Sequence, residues 1–364
     1  MHQPVFSFFR IQAKTPPNQL SMLLLTGSCF LLSIISWKYI ENPFRDKYLI
    51  SKRQIFSYSL SFILIFVCFG YLGKELNGFD LYRFSESELK VLNQSKNRSE
   101  THSVLGNKSI ASKWILLGDS HADTLQDALD QMLNKLNESA LVNTVNGCPP
   151  ALNLWRQDKD YGLKCHNAYL KALETIKKHG ITEVVISARY ALYVNSTRFD
   201  NLEGGVEPSS KQKVIYDNII YKDEIRSQDL RSTAVKEELI SFVKNLSDLG
   251  VNTYIFTSIP EVGWNVPEQA FRQISIHTET KTKKTVYEKR VEPLMSLMEG
   301  FKNIPNVIIV DTSKALCDET YCYATENGIP LYFDSNHLNR NGATLLINYF
   351  YNSLVNSRTK CNFD

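Results

Sequence analysis

The sequence lacks a large surplus of charge of either sign. Its 364 residues carry 41 lysines and arginines against 38 aspartates and glutamates, a net charge of +3. This balance gives no electrostatic basis for a nucleic-acid partner. The chain also lacks the low hydrophobic content that is typical of disordered proteins, because 43% of its residues are hydrophobic and 11% are aromatic. The chain can therefore form at least one sizeable core.

The seven cysteines include no C-x-x-C pair. The histidines add no ligand spacing, so we expect no metal site. Five cysteines lie beyond the apolar N-terminal region: Cys148, Cys165, Cys317, Cys322 and Cys361. Disulfides in an oxidising compartment are the better interpretation, with burial as small hydrophobic side chains as the alternative. We favour the pairs Cys148–Cys165 and Cys317–Cys322, each closing a short loop; one cysteine stays free, and other pairings stay open.

Two long runs near the N-terminus lack any charged residue. One lies between Lys14 and Lys38, where residues 20–37 read LSMLLLTGSCFLLSIISW, and the other lies between Arg53 and Lys74. Each run is about long enough to cross a hydrocarbon core of roughly 30 Å. A cleaved signal peptide and a buried pair of soluble helices are the alternatives, but no cleavage site or polar face is visible. We predict two transmembrane helices within residues 1–74.

The loop between these two runs predicts their orientation. Residues 38–53 hold five basic and two acidic side chains, and the positive-inside rule places such a loop in the cytoplasm. The chain after the second run would then lie in the periplasm of a bacterium, anchored in the inner membrane. Residues 75–112 are polar and rich in serine and asparagine. They predict a tether, followed by a folded domain over residues 113–364.

Strand and helix signals alternate along the folded domain. Strands are predicted at residues 114–118, 140–145, 183–188, 252–259 and 306–311, and helices at 123–136, 168–180, 235–250 and after Asn341. This alternation is typical of an α/β fold with a parallel sheet and helices on both faces. Two polar inserts, residues 190–231 and 260–287, are candidates for the walls of a site.

Two short motifs lie where such a sheet binds ligands. Gly118-Asp-Ser120-His follows the first strand, so Ser120 would lie near a helix N-terminus that favours developing negative charge. Asp334-Ser-Asn-His337 precedes the last helix, and its histidine can accept the serine proton while the aspartate orients the ring. Together the motifs predict a triad of Ser120, His337 and Asp334. Taken separately, they could be a capped turn and a surface loop.

These motifs resemble blocks I and V of the SGNH (GDSL-like) hydrolases, and residues 112–358 fit that flavodoxin-like fold. Residues 147–150 (GCPP), 186–190 (ISARY) and 337–343 (HLNRNGA) are similar, more narrowly, to the SGNH domain fused to acyltransferase-3 membrane domains. Residues 37–45 (WKYIENPFR) resemble the end of the last helix of that membrane domain. The resemblance implies an enzyme that O-acetylates lipopolysaccharide O-antigen or another envelope glycan.

The resemblance also implies roles for individual residues. Ser120 would accept the acyl group, with His337 as general base and Asp334 as its orienting group. The backbone N–H groups of Ser120 and Gly147 would form the oxyanion hole, because a glycine lets the backbone approach a ligand closely. A plain turn glycine before Pro149 is the alternative for Gly147.

The sequence departs from the family pattern at the third strand. General SGNH hydrolases carry an oxyanion-hole asparagine there, whereas this strand ends in Arg189-Tyr190. Either Arg189 substitutes for the asparagine or the hole has fewer donors; an exposed arginine bound to solvent or a surface carboxylate is the alternative. His121 would either order the serine turn or touch the substrate.

The chain offers two spans where an acyltransferase-3 domain has about ten, as the resemblance implies. It would bind no cofactor itself, and its acyl donor would derive from acetyl-CoA through a membrane acyltransferase-3 partner. Three functions fit this sequence: an O-acyltransferase acting on an envelope polysaccharide, a carbohydrate acetylesterase, or a non-catalytic fragment that binds glycan or docks onto a partner.

Overall fold

The structure is a computed structural model that describes residues 2–12, 18–45, 50–76, 78, 84–156, 161–207, 216–217, 228–273 and 278–360. The chain divides into two compact units, Met1–Ser85 and Glu86–Asp364.

The first unit consists of apolar helices. They are α1 (His2–Gln12), α2 (Gln19–Ser36), which continues through a π-helical stretch (Trp37–Glu41) into α3 (Asn42–Arg45), and α4 (Lys52–Glu75). The continuous helix Gln19–Arg45 and helix α4 are both long and apolar enough to cross a membrane. Most of their large hydrophobic side chains are exposed. Lipid tails would cover these apolar surfaces, so the two helices could span a membrane.

The second unit is built on strands that the chain visits in alternation with helices. Its strands are β1 (Val104–Gly106), β2 (Trp114–Gly118), β3 (Ser139–Thr144), β4 (Trp155–Arg156), β5 (Glu183–Ser187), β6 (Tyr216–Asp217), β7 (Asn252–Phe256), β8 (Lys281–Lys283), β9 (Val307–Val310), β10 (Tyr321–Tyr323), β11 (Thr325–Glu326) and β12 (Ile329–Pro330). Six of them form one sheet in the order β1-β3-β2-β5-β7-β9. Its pairings are parallel except at the edge, where β1 runs antiparallel to β3. The parallel core confirms the α/β prediction.

Helices cover both faces of this sheet. They are α5 (Glu86–Ser95), α6 (Ser120–Asp123), α7 (Gln126–Leu136), α8 (Tyr161–His179), α9 (Tyr190–Asn195), α10 (Gln228–Asp248), α11 (Val266–Gln273), α12 (Lys284–Val291), α13 (Met295–Lys302), α14 (Ser313–Leu316) and α15 (Arg340–Lys360). Strand β2 shows why both faces are covered, because Ile115 and Leu117 pack into one hydrophobic cluster while Trp114 and Leu116 pack into the other. A parallel strand buried on both faces is expected to be apolar throughout.

The predicted tether is too long at its C-terminal end. The folded unit begins at Glu86, and residues 86–112 supply both α5 and the edge strand β1. Val91 of α5 and Leu105 of β1 are buried in the unit. These apolar residues are few within a polar segment, so hydropathy alone hides the two elements. In the structure, the compact unit thus begins 27 residues before the predicted boundary at residue 113.

Candidate active site

Only glycine fits the first position of the turn that carries Ser120, called here the serine turn. Gly118 ends β2 with a φ of +143°. A residue with a Cβ atom would be strained in this backbone conformation. A Cβ at this position would collide with the carbonyl oxygen of Ser187 and with the side chain of Ala122. The turn can therefore pass close to β5 and deliver Ser120 to the first position of α6.

The Asp119 side chain fixes the conformation of this turn. It is 1% exposed. One carboxylate oxygen accepts the N–H of His121 at 2.8 Å. The other accepts the backbone N–H of Arg189 at 2.9 Å and the hydroxyl of Tyr193. Asp119 thus ties the serine turn to the end of β5.

The histidine turn is fixed in a similar way from two directions. Oδ1 of Asp334 accepts the backbone N–H groups of Asn336 at 2.9 Å and of His337 at 2.8 Å. The carbonyl oxygen of Ser335 accepts the N–H of Val262 at 2.8 Å. The second predicted insert therefore supports the turn that precedes α15.

The two turns bring the predicted triad together. His337 Nε2 lies 2.8 Å from Ser120 Oγ, and His337 Nδ1 lies 2.7 Å from Asp334 Oδ2. Burial opposes ionisation of Asp334, but hydrogen bonds from His337 and from backbone N–H groups outweigh it and lower the pKa of Asp334 to about 2. An ionised carboxylate at Nδ1 holds the ring so that Nε2 can take a proton from Ser120.

Two aromatic rings pack against the His337 imidazole. The Phe333 ring stacks on it, with centroids 5.3 Å apart and planes within 4°. The His121 ring meets it edge-on at 5.1 Å and an angle of 63°. Such contacts restrict ring rotation, so both neighbours hold the imidazole in place.

His121 itself is a buried residue behind the triad. Its side chain is 1% exposed, and its Nε2 lies 3.2 Å from Asn336 Oδ1. Burial is the main reason why its pKa falls to about 4, although the nearby charge of Asp119 opposes the shift. His121 is therefore neutral at pH 7 and orders the turn. The predicted alternative, a contact between His121 and substrate, is not supported, because the buried side chain is not accessible to a substrate.

The Arg189 side chain does not replace the missing asparagine. It is 7% exposed. Its guanidinium donates to Glu207 at 2.5 and 3.1 Å and to Glu261 at 2.7 Å from Nε. Glu261 also accepts from Arg290 at 2.7 Å. Burial disfavours the charge on Glu261, but the two arginines outweigh it and lower the pKa of Glu261 to about 2. Arg189 is neither the predicted oxyanion donor nor the exposed arginine of the alternative, because buried carboxylates bind it.

Gly147 lies in the turn that follows β3, beside the serine turn. Its φ of +73° favours glycine, and the N–H of Val145, two residues earlier, donates to the carbonyl oxygen of Gly118 at 2.9 Å. Among the described residues, the backbone N–H groups of Gly147 and Ser120 have no recorded hydrogen-bond partner. Both are available as donors, and a two-donor oxyanion hole stays a prediction.

The two favoured disulfides are present. They join Cys148 to Cys165 and Cys317 to Cys322. The first anchors the Gly147 turn to α8, where the hydroxyl of Tyr169 also donates to the Cys148 carbonyl at 2.9 Å. Cys361 lies outside the described residues. Within the described parts of the chain, no group of three or more His, Cys, Asp or Glu side chains could hold a metal ion.

The fold and the site together define an SGNH-type α/β domain. The family model for the SGNH domain fused to AT3 domains matches residues 89–352. That range is well over half of the chain, so the protein belongs to this family. Its domain is of the acyl-transferring or esterase type.

Comparison with curated proteins finds no match, whereas solved structures show distant similarity. The periplasmic domain of a lipopolysaccharide acetyltransferase from Salmonella ser. Paratyphi A is 15% identical, with 67% of this chain and 84% of that chain covered and a TM-score of 0.46. A protein from Streptococcus pneumonia, provisionally described as a platelet activating factor, is 10% identical, with 78% and 99% covered and a TM-score of 0.38.

Proposed function

We propose that the protein is a membrane-anchored O-acyltransferase, acting as an O-acetyltransferase on sugar hydroxyls of an envelope polysaccharide such as lipopolysaccharide O-antigen. The observation that carries the proposal is the continuous hydrogen-bonded path from Ser120 Oγ through His337 to Asp334. Membership of the family whose SGNH domain is fused to AT3 domains favours acyl transfer over other serine chemistry.

In the first half-reaction, Ser120 Oγ attacks the acyl carbonyl carbon of the donor while its proton passes to His337 Nε2. The imidazolium that forms is stabilised by the Asp334 carboxylate at Nδ1. The N–H groups of Ser120 and Gly147 would bind the oxyanion of the tetrahedral intermediate. When the intermediate collapses, the bond to the leaving group breaks, and His337 returns the proton to that group. Ser120 is left as an acyl ester.

The second half-reaction regenerates the serine. A sugar hydroxyl attacks the acyl-enzyme as its proton moves to His337 Nε2, and the proton then returns to Ser120 Oγ as the new sugar ester leaves. Because the SGNH domain of this family is fused to AT3 domains, we propose that a membrane acyltransferase-3 partner supplies the acyl group from acetyl-CoA.

We propose that the catalytic unit faces the periplasm and that the anchor lies in the inner membrane. The two apolar helices Gln19–Arg45 and Lys52–Glu75 support an anchor. The basic loop at residues 38–53 favours a cytoplasmic turn between them. The disulfides Cys148–Cys165 and Cys317–Cys322 are typical of an oxidising compartment.

A carbohydrate acetylesterase is the second candidate function. The side chains of His337 and Asp334 are 21% and 35% exposed, so solvent reaches the triad. Water in place of a sugar hydroxyl would turn the same acyl-enzyme into a hydrolase. The third possibility, a fragment that only binds glycan or docks onto a partner, gives no reason for the assembled triad.

The first experiment uses the full chain purified in detergent. Wild type, Ser120→Ala and the exposed control Ser109→Ala are treated with a fluorophosphonate and weighed intact, then given 4-nitrophenyl acetate with and without envelope polysaccharide. We expect an adduct in wild type and Ser109→Ala only, together with serine-dependent acetylation of the polysaccharide. An adduct with hydrolysis alone would replace the proposal by the esterase, and no adduct in wild type would overturn both.

A further inference from the structure

An exposed arginine, Arg98, lies near the proposed catalytic base. The guanidinium carbon of Arg98 is 4.3 Å from the centroid of the Phe333 ring, and Phe333 stacks on His337. These two contacts place the cation no more than about 10 Å from the imidazole, with the face of an aromatic ring as its support. Arg98 is exposed, so a substrate at the triad can reach it.

The position of Arg98 is fixed by its neighbours in the chain. The carbonyl oxygen of Asn97 accepts the backbone N–H of Arg340 at 2.9 Å. The hydroxyl of Ser99 accepts the backbone N–H of Asp127 at 2.9 Å. Contacts on both sides thus hold this segment against the N-terminal ends of α7 and α15.

Among the described residues, no carboxylate pairs with Arg98, which distinguishes it from the other arginines around the site. Arg189 and Arg290 share Glu261, and Arg340 binds Asp127 and Glu100. Glu100 is only two residues from Arg98, yet it binds Arg340 instead. Within the described parts of the chain, the Arg98 guanidinium forms no ion pair.

The chemistry of the Arg98 side chain indicates what would bind there. A guanidinium is well suited to binding a carboxylate or phosphate through two parallel hydrogen bonds.

We propose that Arg98, held against Phe333, binds an anionic oxygen group of the substrate beside the triad. The inference rests on the proposed function, because it places the substrate of Ser120 within reach of this cation. The ligand would be an acidic acyl ester or an acidic sugar acceptor, bearing a carboxylate or a phosphate near the reacting group.

The test compares two acetate esters that differ by one carboxylate, 4-nitrophenyl acetate and 5-acetoxy-2-nitrobenzoate. The full chain in detergent is assayed as wild type, Arg98→Ala, Arg98→Lys and Lys96→Ala, the last being an exposed cation in the same segment. The measured quantity is the ratio of kcat/KM for the anionic ester to kcat/KM for the neutral one. A general loss of activity cancels within this ratio, and the difference in intrinsic reactivity of the two esters cancels when the ratios of two variants are compared.

We expect Arg98→Ala to lower this ratio about tenfold, Arg98→Lys to lower it less, and Lys96→Ala to leave it unchanged. Added salt should reduce the wild-type ratio and leave that of Arg98→Ala unchanged. Equal ratios in wild type and Arg98→Ala would overturn the inference.

Binding of 5-hydroxy-2-nitrobenzoate to the Ser120→Ala chain provides a readout without turnover. Weaker binding to the double variant Ser120→Ala/Arg98→Ala than to Ser120→Ala supports the inference even if acyl transfer fails. Equal binding to the two chains overturns it. Failure of the proposed function shows instead as turnover that survives Ser120→Ala.

Discussion

The candidate active site has a buried side and an open side, and each side carries an aspartate, a histidine and an arginine. The buried set is Asp119, His121 and Arg189, and the open set is Asp334, His337 and Arg98. Backbone N–H groups and glutamates inside the protein bind the buried aspartate and arginine. On the open side, the histidine contacts a serine that could take an acyl group, and the arginine pairs with no carboxylate of the described residues.

The difference shows that residue type does not decide the role of a side chain at this sheet edge. Burial makes His121 a neutral support, whereas both ring nitrogens of His337 are within hydrogen-bond distance of other side chains: Nε2 lies near Ser120 and Nδ1 near Asp334. Substitutions on the open side should therefore change activity, and those on the buried side should change stability.

The largest effect is expected on the open side. Asp334→Asn should lower turnover of 4-nitrophenyl acetate about 10⁴-fold, because the amide favours the wrong imidazole tautomer. The free energy of unfolding in urea should change by less than about 1 kcal/mol, since an oxygen for the backbone N–H groups is retained. Asp248→Asn, an exposed control, should alter neither quantity. Wild-type turnover in Asp334→Asn would remove Asp334 from the mechanism.

On the buried side, Glu261→Gln should mainly destabilise the fold. It leaves Arg189 and Arg290 without a shared counter-charge, and breaking a buried ion pair from one side costs about 3 kcal/mol. Glu299→Gln breaks an exposed pair with Lys302 and should cost less than about 0.5 kcal/mol. Urea unfolding of the full chains measures both, and equal losses would contradict the proposed contrast.

His121 should make stability depend on pH. Its pKa is about 4 in the folded protein and 6.5 when unperturbed, so the unfolded chain takes up this proton more readily. The contribution of neutral His121 to the free energy of unfolding is therefore complete above pH 6.5 and is lost as the pH falls towards 4. Between pH 7 and 5 this loss amounts to about 2 kcal/mol. His121→Gln should abolish that part of the pH dependence, whereas the exposed control His179→Gln should keep it. Parallel pH profiles for the two variants would show that His121 is not held neutral.

The smallest effect is expected at Phe333, which packs between two members of the open side. Phe333→Leu should lower kcat about fivefold with little change in KM for 4-nitrophenyl acetate, because a stacked ring contributes about 1 kcal/mol to holding the imidazole. Phe333→Tyr keeps the ring and should restore kcat. If the leucine and tyrosine variants have equal kcat, stacking does not position His337.

The triad was predictable from two motifs that lie far apart in the chain. Ser120 follows a buried parallel strand and His337 precedes the last helix, and a parallel sheet brings such positions to one edge. The pairs Cys148–Cys165 and Cys317–Cys322 were predictable because their partners are close in sequence. Helix α5 and strand β1 were missed because their few apolar residues are surrounded by polar ones.

Arg189 shows what the sequence could not reveal. Its partners Glu207 and Glu261 are 18 and 72 residues away, within polar inserts that have no periodic pattern. The prediction for Arg189 relied on its place at a strand end, which it does occupy. The two carboxylates that bind it there belong to loops whose course depends on packing.

Local sequence is sufficient for the apolar helices, the alternation of strands and helices, and the two turns that carry Ser120 and His337. These features depend on hydropathy, periodicity and residues such as Gly118 that act on their immediate surroundings. Only the tertiary structure decides which histidine is neutral and which arginine is paired. It also places the Phe333 ring in contact with both Arg98 and His337. Charge state and availability depend on burial and on partners many residues away, and packing alone brings those together.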